Sequence, residues 1–138
     1  MSGPGLKHVD SHAAIHEAAL NEASELNDIL AKLIEHKQMD KALETAFIAV
    51  EHWETRTLRH ADAEEKGLYK DLVEENPKLK DDVIQLTRDH NIMRFLVKEI
   101  KQSLEKEGFN KGVLEKLHAL VHVDLYHNQE EERILPHH

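Results

Sequence analysis

Cysteine is absent from the 138 residues, which excludes a disulfide framework, a thiolate-held metal, an iron–sulfur cluster and a thiol nucleophile. Any metal must therefore be held by nitrogen and oxygen. Glycine (five) and proline (three) are scarce, and aromatic residues make up 4% of the chain. That composition is poor in the turn residues and aromatic strands that sandwiches, barrels and collagen-like chains need, and it favours helix. No apolar run reaches the roughly 18 residues of a membrane span, and the first nine residues lack the apolar stretch of a signal peptide. A soluble cytoplasmic protein with no membrane partner is expected. Positive charge is in deficit: 18 Lys and Arg against 27 Asp and Glu leave a formal charge of -9. A phosphate backbone would be repelled, so nucleic acid is not an expected partner.

What is present is an apolar content of 40% laid out at helical spacing. The length suits one domain over residues 1–138, with 1–9 as a flexible start marked by Pro4 and Gly5. After a cap at Asp10 or Ser11, Ile15, Leu20, Ala23, Leu26, Leu30, Leu33 and Ile34 predict a first helix to about Lys37. Asp40 caps a second, long one through Phe47, Trp53, Leu58, Leu68 and Leu72, which stops at Asn76-Pro77 because proline disfavours a helical residue before it. A third runs from Leu79 to Gly108, a residue suited to closing a helix, and a fourth from beyond Asn110 to Pro136. Connections of a few residues fold such helices back on one another, which predicts an all-α, up-down-up-down four-helix bundle.

Histidine is the compositional oddity, with twelve in the chain. His137 and His138 fit a purification-tag remnant, which leaves ten to explain. Polar residues interrupt the apolar stripes at particular places. In the second helix His60 and Glu64, four apart and so on one face, lie between Trp53 and Leu68; in the fourth, His127 and Glu131 lie between Leu120 and Ile134. The third helix contributes His90, between Leu86 and Met93, and the first offers His12 and His16. Two His-x-x-x-Glu pairs are no more than chance allows, but register is a stronger test. Turns centred near residues 38, 77 and 109 reflect the His60–Glu64 pair onto about residues 15 and 92, and His90 onto about 129, each to within about two residues. All four helices thus aim ligand-type side chains at one interior level. Buried and unpaired, such groups would cost several kcal/mol each, which a cation would offset. Imidazoles with carboxylates suit iron or manganese.

The segments His60-Ala-Asp-Ala-Glu64-Glu65 and His127-Asn-Gln-Glu-Glu131-Glu132, the latter followed by Ile134-Leu135-Pro136, resemble the doubled signature of the hemerythrin-like, HHE cation-binding domains. Asp89-His90 and a first-helix histidine extend the resemblance over nearly the whole chain. It implies a hemerythrin-like bundle around a non-haem di-iron centre bridged by two carboxylates and an oxo or hydroxo group. His16, His60, His90 and His127 would be terminal ligands, and Glu64 and Glu131 the bridges, with His12 as the alternative to His16. Arg94 stands where oxygen-carrying hemerythrins usually have a second third-helix histidine. The set therefore looks more like relatives that bind or sense O2 or NO, or that handle iron. Asp124 is a candidate to orient the His127 imidazole, with solvent exposure as the alternative; Phe47, Trp53 and Met93 read as core.

Besides His36, four histidines stay outside this set: His8, His52, His118 and His122. They read as surface or interface residues, or as a haem or second metal site pairing His52 with His118. Other functional alternatives are a di-iron redox enzyme reducing NO or peroxide, for which no acid–base pair is visible, and a metal-free interaction bundle.

Overall fold

The computed structural model describes residues 9–135. The flexible start at Pro4 and Gly5, His8, the stop at Pro136 and the tag reading of His137 and His138 lie outside the described residues, and the side chains of Asp10 and Ser11 are likewise outside them. The described chain is all-helical. Its elements are α1 (Val9–Glu35), α2 (Met39–His52), a π-helical turn (Trp53–Leu58), α3 (Arg59–Lys66), α4 (Leu68–Glu75), a short 3-10 turn (Pro77–Leu79), α5 (Lys80–Glu107) and α6 (Lys111–Ile134). α2, the π turn, α3 and α4 together make the second of four helical arms. α1 packs against α2 and α6, and α5 packs against α2 and α6, so each long arm covers the apolar stripes of two neighbours. No helix among the described residues is long and apolar enough to cross a membrane.

The ends of the helices reflect local chemistry. Lys37 takes a positive φ of 56°, and the amides of Lys37 and Gln38 return to the carbonyls of Ile34 (2.9 Å) and Leu33 (2.8 Å), satisfying the last turn of α1. Gly108, at φ 78°, closes α5. Asn110 Oδ1 accepts from the Val113 amide at 3.1 Å and starts α6. Asp40 does not cap α2: Gln38 holds that position and Asp40 lies within the first turn, facing the positive end of the helix.

The second arm departs most from the uninterrupted helix its pattern predicts. A π turn uses more residues per turn than an α-helix and so retards the phase of the helix after it. Eight residues of α-helix advance about 80° beyond two full turns, yet Trp53 and Ala61, eight apart, are both buried. The retarded phase puts Ala61 and Glu64 on the core side and leaves His60 at its margin, with 30% of its side chain exposed. A second break at Gly67 separates α3 from α4. Phe47, expected in the core, is 39% exposed; Ala42, Ala46, Ala49 and Val50 occupy that stretch of the core face instead.

Two apolar clusters result. The larger runs through Leu30, Trp53, Met93, Ile100, Leu117 and Leu120. The smaller joins Tyr69, Leu72, Leu86 and Leu135. Glu64, His90, His127 and Glu131 belong to neither cluster and are buried all the same.

Candidate metal centre

Seven of the sequence-selected side chains converge. His12, His16, His60 and Glu64 offer ligand atoms within 4.8 Å of one another, and so do Glu64, His90, His127 and Glu131. Glu64 belongs to both groups. α1 contributes His12 and His16, one helical turn apart and therefore stacked on one face; their rings lie 4.3 Å apart in an edge-to-face arrangement. Both reach the carboxylates. His12 Nε2 lies 2.8 Å from Glu64 Oε2 and also contacts Glu131 Oε1. His16 Nε2 is 3.6 Å from Glu64 Oε2, and its Nδ1 is 3.6 Å from Glu131 Oε1. His60 Nε2 stands 3.5 Å from Glu64 Oε2. On the other side of Glu64, His90 Nε2 lies 3.3 Å from Oε1, and His127 Nε2 lies 3.4 Å from Glu131 Oε2.

The outer nitrogens of two rings are fixed from behind. His90 Nδ1 donates to Glu65 Oε2 at 2.7 Å, and His127 Nδ1 donates to Asp89 Oδ2 at 2.9 Å. Each bond sets the tautomer that leaves a lone pair on the inward Nε2, the arrangement metal-ligating histidines use. Arg94 lies behind Glu65, 2.9 Å away, and also reaches Asp62 at 2.6 Å. The residue that departs from the oxygen-carrier pattern thus anchors the carboxylate that orients His90. Asp124 is buried rather than exposed, but the Nδ1 partner of His127 is Asp89, not Asp124.

Electrostatics explain why so many ionisable groups tolerate burial. Burial alone would raise Glu64, yet the imidazoles of His12, His16, His60 and His90 hold it far below the ordinary carboxylate range. Glu131 is lowered against burial by His12 and His127. Burial would lower the two histidines, but Glu131 and Glu64 outweigh it and push His12 up to about 10, and Glu131, Asp89 and Glu64 push His127 up to about 9. Asp124, raised to about 6 mainly by burial, lines a cavity of about 40 Å³ together with Ile15, Ala19, Arg56, Thr57, Met93 and Asn128. That cavity opens onto His16, His60, Glu64, His90 and His127.

These groups can hold metal ions, and their unmet needs fit that role. His16 Nδ1, His60 Nε2 and both oxygens of Glu64 are buried without a partner in hydrogen-bond geometry. Apart from the 2.8 Å approach of His12 to Glu64 Oε2, these atoms stay unpaired, which is costly in a buried site. A cation accepts lone pairs from all of them at once.

Sequence reasoning missed one member of this neighbourhood. Tyr69, 2% exposed, donates its hydroxyl proton to Glu131 Oε2 and lies 3.4 Å from His90 Nε2 and 3.5 Å from His127 Nε2. Five residues of continuous helix from Glu64 would turn it about 140° away, and the break at Gly67 is what re-aims it. The surplus histidines stand apart. His118 and His122 are exposed on α6, and His52 Nε2 donates to the Ala19 carbonyl at 3.0 Å, tying α2 to α1. No family model, no curated protein and no solved structure matches this chain.

Proposed function

We propose that the chain is a hemerythrin-like domain, an up-down-up-down bundle whose buried centre holds two non-haem iron ions and binds or senses O2 or NO, or handles iron. The observation that carries this reading is the pair of ligand groups that share the buried Glu64. His12, His16 and His60 would hold one ion and His90 and His127 the other, with Glu64 and Glu131 between them. When bound, the ion pair would supply a change of oxidation state and a position for a small ligand. The protein's own residues do the rest. Glu65 and Asp89 keep the His90 and His127 rings oriented, while Glu64 and Glu131 bring negative charge to a site with few other compensations. The apolar clusters, with Met93 and Trp53 fully buried, cover most of the site, and His60 at its margin stays partly exposed. The cavity of about 40 Å³ has room for a water-sized or diatomic molecule and little more.

The test is the metal content and visible absorption of iron-loaded protein, compared with Glu64→Ala and Glu131→Ala. The parent should hold two irons per chain. Each variant should lose stoichiometric binding and keep its helical far-UV signal, because each loses a shared ligand and none of the apolar stripe. Variants that hold iron as the parent does would sink the assignment.

A further inference from the structure

The two ligand groups are unequal. On one side of Glu64 stand three imidazoles, His12, His16 and His60; on the other stand two, His90 and His127. The Tyr69 hydroxyl fills the gap. It lies among the inward atoms of the second group, 3.4 Å from His90 Nε2 and 3.5 Å from His127 Nε2, and it contacts Glu131 Oε2. Its ring stacks on that of His90 at 5.5 Å between centroids and 7° between planes, and the residue is buried. Each Nδ1 is engaged by a carboxylate, so both rings turn Nε2 toward the phenol oxygen, whose single proton goes to Glu131. Two imidazole lone pairs and a phenol oxygen facing one point form a donor set for a cation.

We propose that Tyr69 is an oxygen ligand to the ion held by His90 and His127, so that each ion has three ligands besides the shared carboxylates. The proposal rests on the reading of this centre as a metal site. Ligation takes the phenol as phenolate, and the proton now donated to Glu131 is released to solvent as the ion takes its place. A hard anionic oxygen on one side only makes the two ions chemically unlike, with the Tyr69 side favouring the higher oxidation state.

The chain has two tyrosines, and the other, Tyr126, is 66% exposed, which supplies an internal control. Ferrous iron is added to the metal-free protein and oxidised. Iron per chain, visible absorption and resonance Raman scattering are then recorded for the parent, Tyr69→Phe and Tyr126→Phe. The parent and Tyr126→Phe should show a phenolate-to-iron(III) band with phenolate ring modes, and Tyr69→Phe should lack both, with iron affinity lowered about tenfold. A parent that holds two irons without a phenolate signature overturns the proposal, as does a signature that survives in Tyr69→Phe. If Tyr69→Phe loses its iron, the parent and Tyr126→Phe spectra alone decide between the two tyrosines. A parent that takes up no iron overturns the metal reading itself, and the parallel iron count tells that failure from the first.

Discussion

Removing one imidazole from this centre deletes a ligand and also uncovers a carboxylate. His12 contacts both Glu64 and Glu131, whereas the nitrogens of His16 stay 3.6 Å from each. In metal-free protein at pH 7, His12→Ala should therefore cost roughly 3 kcal/mol, the scale of breaking a buried ion pair, and His16→Ala about 1 kcal/mol. Urea unfolding measures both, and the reverse order would contradict the geometry. Because both rings reach Glu64, each variant should also lower metal occupancy. Behind the ligands, Asp89→Ala frees the His127 ring and should weaken metal binding by roughly 10- to 100-fold, read by competition with a chromophoric chelator. An unchanged affinity would mean the ring is held by packing alone. At this scale the sequence is legible where register supports chemistry: His60, Glu64, His90, His127 and Glu131 interrupt apolar stripes at heights that the short turns bring to one level. Tyr69 is not legible, because a tyrosine near apolar residues reads as core and its direction depends on a helix break that no residue before Gly67 announces.

At the scale of elements, the second arm shows how a site can be built from an irregular helix. The apolar spacing predicts its existence and its end at Asn76-Pro77, because both arise from local sterics. The π turn is not encoded locally. Trp-Glu-Thr-Arg-Thr-Leu has no breaker, and the turn is selected by packing against α1 and α5. A π turn amounts to one residue too many in an α-helix, so deleting exposed Thr55 should restore α-helix there and keep both flanks in phase. Metal binding should survive that deletion, at a cost of no more than about 2 kcal/mol. Deleting exposed Ala63 instead should rotate Glu64 by about 100° against His60 and abolish metal binding with helicity largely kept. Far-UV circular dichroism and metal counts on the two deletions check this, and equal loss in both would refute the phase relation.

For the whole molecule, metal and protons compete for the same lone pairs. Without metal, His12 at about 10 and His127 at about 9 lie above the unfolded value of 6.5. Their contribution to stability is complete below about pH 6.5 and is lost as pH rises through 9 to 10. Glu64 and Glu131, held below 4.5, stabilise above that value and cease to do so only as pH falls through their lower folded values. These four groups thus contribute most to the metal-free bundle between about pH 4.5 and 6.5, and Asp124, raised to about 6, offsets part of that contribution as it ionises. Metal binding, which needs neutral imidazole, strengthens as pH rises. The difference in Tm between iron-loaded and metal-free protein should therefore widen from pH 6 to pH 8. At a hundredfold excess of free metal over Kd it amounts to about 2.7 kcal/mol, or about 10 °C for a chain of this size. A gap larger at pH 6 than at pH 8 would contradict the competition.

Everything proposed for this bundle depends on metal sitting in the two groups that flank Glu64. An anomalous difference map at the iron edge, from crystals of iron-loaded protein, tests that placement without intermediary. Two peaks per chain are expected, one among His12, His16, His60 and Glu64 and the other among Glu64, His90, His127 and Glu131, the second in contact with the Tyr69 oxygen. A map empty at both places, or with density only at exposed histidines such as His118 and His122, would contradict it.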